Sequence, residues 1–216
     1  MGRRILRLLN ADFFRSFGLY VARDFFDRDL CARLRTEALG AAADPATVRR
    51  RAADYEVNEE IRRTQLARVS EAAEALVDQR LLALKETLER HFGITTAGIR
   101  RPQFLVYREG DFFRPHSDSS TESDAPSVAT GRRVSIVIFL NGESTDDNDH
   151  CYSGGSLTFF GLMHDPRADD RGFPITGETG LLVAFPSHCV HSVTPVTRGT
   201  RFTIVSWLEG ISEWQK

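Results

Sequence analysis

Two histidines and one aspartate give this chain a set of side chains that can hold a transition metal. His116 and Asp118 are separated by a single residue, and His191 follows later in the chain. Two imidazoles and one carboxylate on one face of an Fe(II) ion leave three coordination positions open. The guanidinium of Arg201 suits a dicarboxylate that fills two of those positions. These residue types point to metal chemistry and not merely to a fold.

The spacing of His116 and Asp118 suggests how they reach one ion. A β-strand sends residues i and i+2 to the same face, which predicts that both side chains point toward the metal from one strand. Such a triplet is weak evidence by itself, and the second histidine must arrive from a distant strand. His188 is a rival for that role. His191 is favoured because the text after it predicts a turn and a return strand beside it, which carries Arg201 toward the same pocket.

Two helices are predicted in the first third of the chain, where they would support the site. Asp27 is a plausible N-cap of the first, which ends near Gly40 and has one apolar face: Leu30, Cys31, Leu34 and Ala38. Ser70 can cap the second, and Gly93 can end it. Its apolar residues recur at spacings of three and four and predict one buried stripe: Val77, Leu81, Leu84, Leu88 and Phe92.

From about residue 100 the pattern changes to short apolar or β-branched segments separated by turn-rich text. The predicted strands are Gln103–Arg108, Phe112–His116, Arg133–Leu140, Ser156–Phe160, Leu181–Phe185, Val190–Val196 and Arg201–Leu208. Short strands after two helices predict an α+β fold whose β part is a jelly roll. We expect one domain over residues 1–216, with mainly helical support in 1–99 and a jelly-roll core in 100–216.

Two polar loops follow strands that would end near the metal. Ser119–Gly131 has small polar side chains, and Gly142–His150 contains three aspartates. Their position is compatible with a substrate lid. A solvated surface loop is the plainer interpretation of the acidic one.

Composition excludes several classes of protein. The chain has 216 residues and a formal net charge of −2, which fits one soluble domain and gives no reason to expect a nucleic-acid binder. Its three cysteines form no CxxC pair, so neither a zinc knuckle nor a disulfide framework is indicated. No stretch approaches the ~20 apolar residues of a membrane helix, and the N-terminus does not read as a signal peptide. A cytoplasmic protein without membrane partners is the expectation.

Several motifs recur in an order and spacing that resemble a known family. They are Tyr107-x-x-Gly110-x-x-Phe113-x-x-His116-x-Asp118, the strand from Arg133 to Leu140-Asn141, Gly154-Gly155-x-Leu157, and His191-x-Val193-x-Pro195-Val196 followed by Arg201 and Trp207. From about residue 100 to 208 the chain resembles the Fe(II)- and 2-oxoglutarate-dependent dioxygenases, and among them the prolyl 4-hydroxylase-like group. The resemblance implies a double-stranded β-helix (a cupin-like jelly roll) with N-terminal supporting helices.

The same resemblance implies cofactors and residue roles. It assigns Fe(II) to three ligands: His116, Asp118 and His191. Arg201 would pair with the distal carboxylate of the co-substrate 2-oxoglutarate, and Tyr107 would hydrogen-bond that co-substrate. Thr203 lies two residues after Arg201 and would add a hydroxyl contact. O2 would be the oxidant.

The implied reaction is hydroxylation of an unactivated C–H bond, most naturally in a prolyl or other amino-acid residue of a protein or peptide. Tailoring of a small metabolite by the same centre is the alternative. Related halogenases lack the carboxylate at position 118, so Asp118 favours hydroxylation. The absence of a second arginine shortly after Arg201 disfavours nucleic-acid repair. A non-catalytic cupin-like binding module would have lost a ligand or Arg201, and neither is lost.

The chain departs from the family pattern at one notable position. The Gly-Gly-Glu-Leu of many relatives is Gly154-Gly155-Ser156-Leu157 here, which indicates a different substrate contact. The oligomeric state and the oxidised substrate do not follow from these patterns.

Overall fold

A computed structural model describes residues 11–49, 55–119, 131–145, 150–162 and 172–211. Its helices are α1 (Ala11–Ser16), α2 (Arg28–Gly40) and α3 (Glu71–Phe92). Asp27 and Ser70 cap α2 and α3 by accepting hydrogen bonds from the backbone N–H groups of Leu30 and Ala73, as their sequences predict. Gly93 ends α3 in the left-handed conformation, at φ 65°.

The strands are short and mostly antiparallel. In chain order they are β1 (Tyr20–Ala22), β2 (Ala43–Pro45), β3 (Val48–Arg49), β4 (Tyr55–Glu56), β5 (Arg62–Arg63), β6 (Gln65–Ala67), β7 (Thr96–Ile99), β8 (Gln103–Tyr107), β9 (Phe112–His116), β10 (Arg132–Phe139), β11 (Gly142–Glu143), β12 (Cys151–Gly154), β13 (Leu157–Phe159), β14 (Phe173–Ile175), β15 (Leu182–Pro186), β16 (His191–Val193), β17 (Val196–Arg198) and β18 (Arg201–Gly210).

The strands form two principal sheets. The larger has the order β1-β15-β10-β18-β8-β6-β2, with β7 pairing to β18 as well. The smaller has the order β14-β13-β16-β9-β5. A further group, β11-β12-β17, includes a parallel β11-β12 pair. Two sheets, with α2 and α3 packed against the larger one, agree with the predicted α+β jelly-roll architecture.

Alternation along the central strands of the large sheet separates a helix-facing side from an interior side. Even-numbered residues such as Ile136 and Ile204 join the core cluster that contains Leu34 of α2 and Leu81 of α3. Odd-numbered residues such as Phe139 pack in a separate cluster, away from α2 and α3. The side chains of β8 and β18 that face the interior are therefore the odd-numbered ones.

Some predicted boundaries change in the structure. The strand predicted over Val190–Val196 is two strands, β16 and β17, with Thr194 and Pro195 between them. Strands β1, β2, β6 and β7 of the first 99 residues join the large sheet, although that region was expected to be mainly helical. Their apolar patterns are too short to stand out in the sequence, and the neighbouring strands supply most of their stability. The single-domain assignment stays a prediction.

The loops singled out in the sequence fall largely outside the described residues, at 120–130 and 146–149. Their roles therefore stay predictions. Among the described helices, none combines the length and apolar character needed to cross a bilayer.

Candidate metal centre

The two predicted histidine ligands meet across a pair of strands. β9 and β16 pair antiparallel, with His116 directly opposite His191, and the ring centroids lie 4.3 Å apart. His116 Nδ1 lies 2.8 Å from the carbonyl oxygen of Arg114, and His191 Nδ1 lies 3.0 Å from that of Cys189. A carbonyl can only accept, so each Nδ1 carries the proton and each Nε2 keeps a free lone pair.

Asp118 completes the group from a bend and not from a strand. β9 ends at His116, so the prediction that one strand presents both residues is wrong. The backbone N–H of Asp118 donates instead to the carbonyl oxygen of Ser187, at 2.9 Å, which fixes the bend. Its two carboxylate oxygens each lie 3.8 Å from an imidazole, Oδ1 from His116 Nε2 and Oδ2 from His191 Nε2.

These three residues form a group able to hold a metal ion, with ligand atoms all within 4.8 Å of one another. His188, the rival in the sequence, is exposed and does not belong to the group. His191 is thus the histidine that the fold brings to His116 and Asp118.

The protonation states suit metal coordination. Burial, together with the nearby charge of His191, lowers the pKa of His116 to about 3, so its imidazole is neutral near pH 7. Burial would raise the pKa of Asp118, but the two histidines, a hydrogen bond from Ser135 and the charge of Arg132 outweigh it and hold that pKa at about 2. A neutral imidazole and an ionised carboxylate are the forms that bind a metal.

Two residues of β10 that the sequence analysis did not single out surround Asp118. The Ser135 hydroxyl donates to Asp118 Oδ2 at 2.7 Å. Arg132 Nη1 lies 3.9 Å from Asp118 Oδ1, and its guanidinium stacks over the Trp207 ring at 3.8 Å. No short motif marks such residues, because their proximity to Asp118 depends on strand pairing.

Arg201 forms a buried cationic end of the same interior. Its side chain is only 1% exposed and makes no salt bridge to a carboxylate in the described part of the chain. Nη1 donates to the Thr203 hydroxyl at 3.1 Å, and Nε has no hydrogen-bond partner. The guanidinium carbon lies 5.0 Å from the ring of Tyr107 and 5.1 Å from that of Phe139.

The route by which Arg201 arrives differs from the prediction. β18 does not pair with β16; it lies in the large sheet between β10 and β8, where Arg201 faces Tyr107. β17 intervenes and pairs with β12. The chain therefore passes from the small sheet through β17 before it enters the large sheet at β18, so that His191 and Arg201 approach the interior from different sheets.

Tyr152 is a second buried polar group near Arg201 that the sequence analysis missed. Its hydroxyl is buried beside Arg201 and has no partner of normal hydrogen-bond geometry among the described residues. Burial raises the pKa of this hydroxyl to about 12 although the charge of Arg201 opposes the shift, so the phenol keeps its proton and remains a donor. The one feature of the sequence that could have indicated such a role is the position of Tyr152 immediately before Ser153-Gly154-Gly155.

A buried guanidinium and a buried phenol without an anionic partner fit a carboxylate ligand. The rings around the histidines enclose the other end of the interior: Phe113 stacks on His116 at 3.5 Å, and Phe185 lies 4.7 Å from His191. Phe139 packs in the same cluster as Phe185, so that cluster extends from the imidazoles to the guanidinium.

Comparisons with known proteins agree with this geometry. Residues 102–209 match the family model of the 2OG-Fe(II) oxygenase superfamily. A PKHD-type hydroxylase of Paracoccus denitrificans is 34% identical over 56% of this chain and 48% of its own length. A PKHD-type hydroxylase of Picosynechococcus sp. is 30% identical over 67% of this chain and 58% of its own length. The chain thus spans about half the length of these curated relatives.

Solved structures confirm the predicted fold. A Pseudomonas putida prolyl-4-hydroxylase superposes with a TM-score of 0.63 at 25% identity, covering 94% of this chain and 97% of that one. A Trichoplax adhaerens prolyl hydroxylase, solved with a hypoxia inducible factor peptide fragment, superposes with a TM-score of 0.64 at 17% identity, covering 95% and 89%. The second likeness concerns the fold alone.

Proposed function

Because the chain belongs to the 2OG-Fe(II) oxygenase superfamily, we propose that it is a hydroxylase of a prolyl or other amino-acid residue in a protein or peptide. Members of the superfamily use Fe(II), 2-oxoglutarate and O2. One observation supports the proposal above all: the same interior holds two complementary features. The group of His116, Asp118 and His191 can hold a metal ion, and the buried guanidinium of Arg201 has no anionic partner among the described residues.

Three residues would hold Fe(II): His116, Asp118 and His191. Their fit to a cation rests on the direction of their lone pairs. Two Nε2 atoms and a carboxylate face one another with no donor of their own between them, and such a set of acceptors repels itself until a cation lies among them. Two nitrogens and one carboxylate suit Fe(II) and leave positions open for other ligands.

The distal carboxylate of 2-oxoglutarate would lie against Arg201, with the Tyr152 hydroxyl as a second donor. Thr203 accepts from Arg201 Nη1 and so holds the guanidinium, while the Tyr107 ring covers one side of it. Thr203 would thus act mainly through Arg201. These contacts bind and orient the co-substrate before any chemistry occurs.

When bound, Fe(II) with 2-oxoglutarate and O2 supplies the oxidising power for insertion of an oxygen atom into a C–H bond. The residues of the chain supply geometry and a dry pocket. Aromatic rings beside the imidazoles exclude bulk water, and the two Nδ1–H donors keep both histidines in the tautomer that presents Nε2.

Support for a peptidyl substrate comes from the relatives. Among the proteins described above, this chain shares the most sequence identity with the two PKHD-type hydroxylases and with the prolyl-4-hydroxylase of Pseudomonas putida. The local departure at Ser156 lies near the site, where its hydroxyl donates to the carboxylate of Glu143 at 3.0 Å. A different side chain there argues for a substrate contact particular to this chain.

The test follows 2-oxoglutarate turnover and substrate oxidation together. Purified protein with Fe(II), 2-oxoglutarate and O2 is incubated with proline-containing peptides or with free amino acids, and succinate release and the substrate mass are measured. We expect peptides to stimulate succinate release and to gain one oxygen atom, and the Asp118→Ala variant to do neither. Stimulation by small molecules alone would overturn the peptidyl proposal in favour of metabolite tailoring. Absence of succinate under every condition would overturn the oxygenase proposal itself.

A further inference from the structure

Two buried serines lie directly behind Asp118. Ser135 occupies the interior side of β10 and Ser187 follows β15, and each is 1% exposed. Ser135 Oγ donates to Asp118 Oδ2 at 2.7 Å, and the two hydroxyl oxygens lie 2.9 Å apart. Buried hydroxyls in contact with a carboxylate constrain its orientation.

The direction of these hydrogen bonds follows from counting protons. A serine hydroxyl has one proton, and Ser135 gives its proton to Asp118. Ser187 must therefore donate to Ser135, so the chain of bonds runs from Ser187 through Ser135 to Asp118 Oδ2. In a buried chain of this kind each bond polarises and strengthens the next.

The backbone of Asp118 is held by the same neighbours. The carbonyl oxygen of Ser187 accepts from the N–H groups of Asp118 and Ser119, at 2.9 and 3.0 Å. The N–H of Ser187 in turn donates to the carbonyl oxygen of Arg133 on β10, at 3.0 Å. Both the main chain and the carboxylate of Asp118 are thus tied to β10 and to the residue that follows β15 in the large sheet.

This arrangement distinguishes the two carboxylate oxygens. Each oxygen lies 3.8 Å from one imidazole, but Oδ2 also accepts a short hydrogen bond from Ser135, whereas Oδ1 has only the Arg132 guanidinium nearby, at 3.9 Å. A carboxylate that binds a metal through one oxygen leaves three of six positions open beside two imidazoles, and one that binds through both oxygens leaves two. A chelating dicarboxylate needs two positions, which leaves a third only in the first case.

We infer that Ser135 and Ser187 are positioning residues that restrict Asp118 to binding the metal through Oδ1 alone. The inference rests on the proposed function, because it takes the group of His116, Asp118 and His191 to be the metal site. It adds a structural reason why that site keeps three positions open.

Co(II) is a suitable probe, because its visible absorption reports coordination number and it does not require turnover. We expect Ser135→Ala to lower the Co(II) affinity about tenfold, the low end of the effect of residues that orient metal ligands. We also expect its absorption spectrum to change as both oxygens become free to bind. Ser187→Ala keeps the Ser135 bond and should lower the affinity only about threefold, through the lost polarisation.

Ser206→Ala is the matched control. Ser206 is also 1% exposed, lies opposite Ile136 in the same sheet, and donates to the carbonyl oxygen of Arg100 on the side away from the site. Its replacement should lower the thermal midpoint of the metal-free protein about as much as Ser135→Ala does, with Co(II) affinity and spectrum unchanged.

The possible outcomes distinguish failure of the positioning role from failure of the metal site. A Ser135→Ala variant that binds Co(II) with the affinity and spectrum of the unaltered protein would overturn the positioning role while leaving the metal site intact. A Ser206→Ala variant that loses as much affinity would also overturn it, since the effect would then be one of general stability. Failure of the unaltered protein to bind Co(II) would contradict the proposed function as well.

Discussion

At the scale of single residues, Arg201 is a buried cation without an anionic partner among the described residues. Its guanidinium is buried, and in the described part of the chain no carboxylate forms a salt bridge with it. Burial of an unpaired charge costs several kcal/mol unless hydrogen bonds compensate, and here Thr203 supplies a single neutral acceptor. A guanidinium in this environment is a destabilising group that an anionic ligand would neutralise.

Replacement of that group separates stability from binding. We expect Arg201→Met to stabilise the ligand-free protein by at least about 1 kcal/mol, because an apolar side chain of similar length replaces a buried charge. Its affinity for 2-oxoglutarate should fall ~30-fold or more, which corresponds to about 2 kcal/mol. Urea unfolding and calorimetric titration in the presence of Mn(II) measure the two effects.

Arg198→Met serves as the control, since Arg198 lies on neighbouring β17 and donates to Ser144 and Ser153. It should lose stability and keep its 2-oxoglutarate affinity. An Arg201→Met variant that binds the co-substrate normally would show that the guanidinium is not its anchor.

His116 gives the metal-free protein a defined pH dependence. Burial and the charge of His191 hold its pKa at about 3, below the ordinary value of 6.5. Between these values the unfolded chain takes up a proton that the folded protein does not, so the free energy of unfolding falls as the pH drops. One proton accounts for up to about 1.4 kcal/mol per pH unit.

We therefore expect His116→Asn to show a shallower loss of stability between pH 6.5 and 4 than the unaltered protein. Urea unfolding with a chelator present, repeated across this range, gives the two slopes. Equal slopes would mean that the imidazole at position 116 is protonated as readily in the folded protein as in the unfolded chain.

At the scale of elements, the turn from β12 to β13 sets the space available to Arg201. Gly155 has a φ of 63°, and a Cβ at this position would lie 2.9 Å from Arg201 Cδ. Gly161 has a similar φ of 72°, but a Cβ there would meet nothing within 4 Å. The two glycines thus share the same backbone requirement and differ in what they touch.

Alanine substitutions at these glycines should have different consequences for binding. Both Gly155→Ala and Gly161→Ala are expected to destabilise the fold by roughly 1 kcal/mol through strain at positive φ. Only Gly155→Ala should also weaken 2-oxoglutarate binding, by about tenfold, because the new methyl group displaces the guanidinium. Co-substrate titrations that gave equal affinities for the two variants would show that this contact does not position Arg201.

The elements also show how far the sequence leads and where it stops. Capped helices and the boundaries of β9 were predictable, because caps and apolar periodicity are local properties of the chain. The identity of the three grouped residues was also predictable, from their chemistry and from the family resemblance. The bend that carries Asp118 was not, because it is fixed by a hydrogen bond to Ser187, which lies far away in sequence.

The same limit explains the residues that the sequence analysis missed. Ser135 and Tyr152 lie in strand sequences with no distinguishing motif. Ser135 gains its role because β10 pairs with β15, and Tyr152 gains its role because it packs beside Arg201. The route of the chain from His191 to Arg201 was wrong for a related reason. Turn residues signal a reversal but do not state which sheet receives the next strand.

At the scale of the whole molecule, the site joins two sheets that would otherwise meet mainly through apolar contacts. The histidines belong to the small sheet and Arg201 to the large one, while Asp118 lies in the bend after β9 and is tied to the large sheet through Ser135. A metal and a dicarboxylate bound between them would add strong links across the interior. Ligands that bind only the folded state raise its stability in proportion to their affinity and concentration.

Thermal unfolding should report this coupling. With Mn(II) and 2-oxoglutarate each at about 100 times its dissociation constant, we expect a gain of about 3 kcal/mol or more, or roughly 5–10 °C in thermal midpoint. 2-Oxoglutarate without metal should give a much smaller shift, since only its distal carboxylate finds partners. Equal shifts with and without Mn(II) would contradict chelation at a shared centre.

Anaerobic absorption spectroscopy of the protein with Fe(II) and 2-oxoglutarate tests the iron centre most directly. We expect a weak visible charge-transfer band that requires both components, because the co-substrate would chelate an iron held by His116, Asp118 and His191. Asp118→Ala should abolish or sharply weaken the band, whereas Ser206→Ala should leave it unchanged. No band in the unaltered protein, or an undiminished band in Asp118→Ala, would contradict the assignment of this centre.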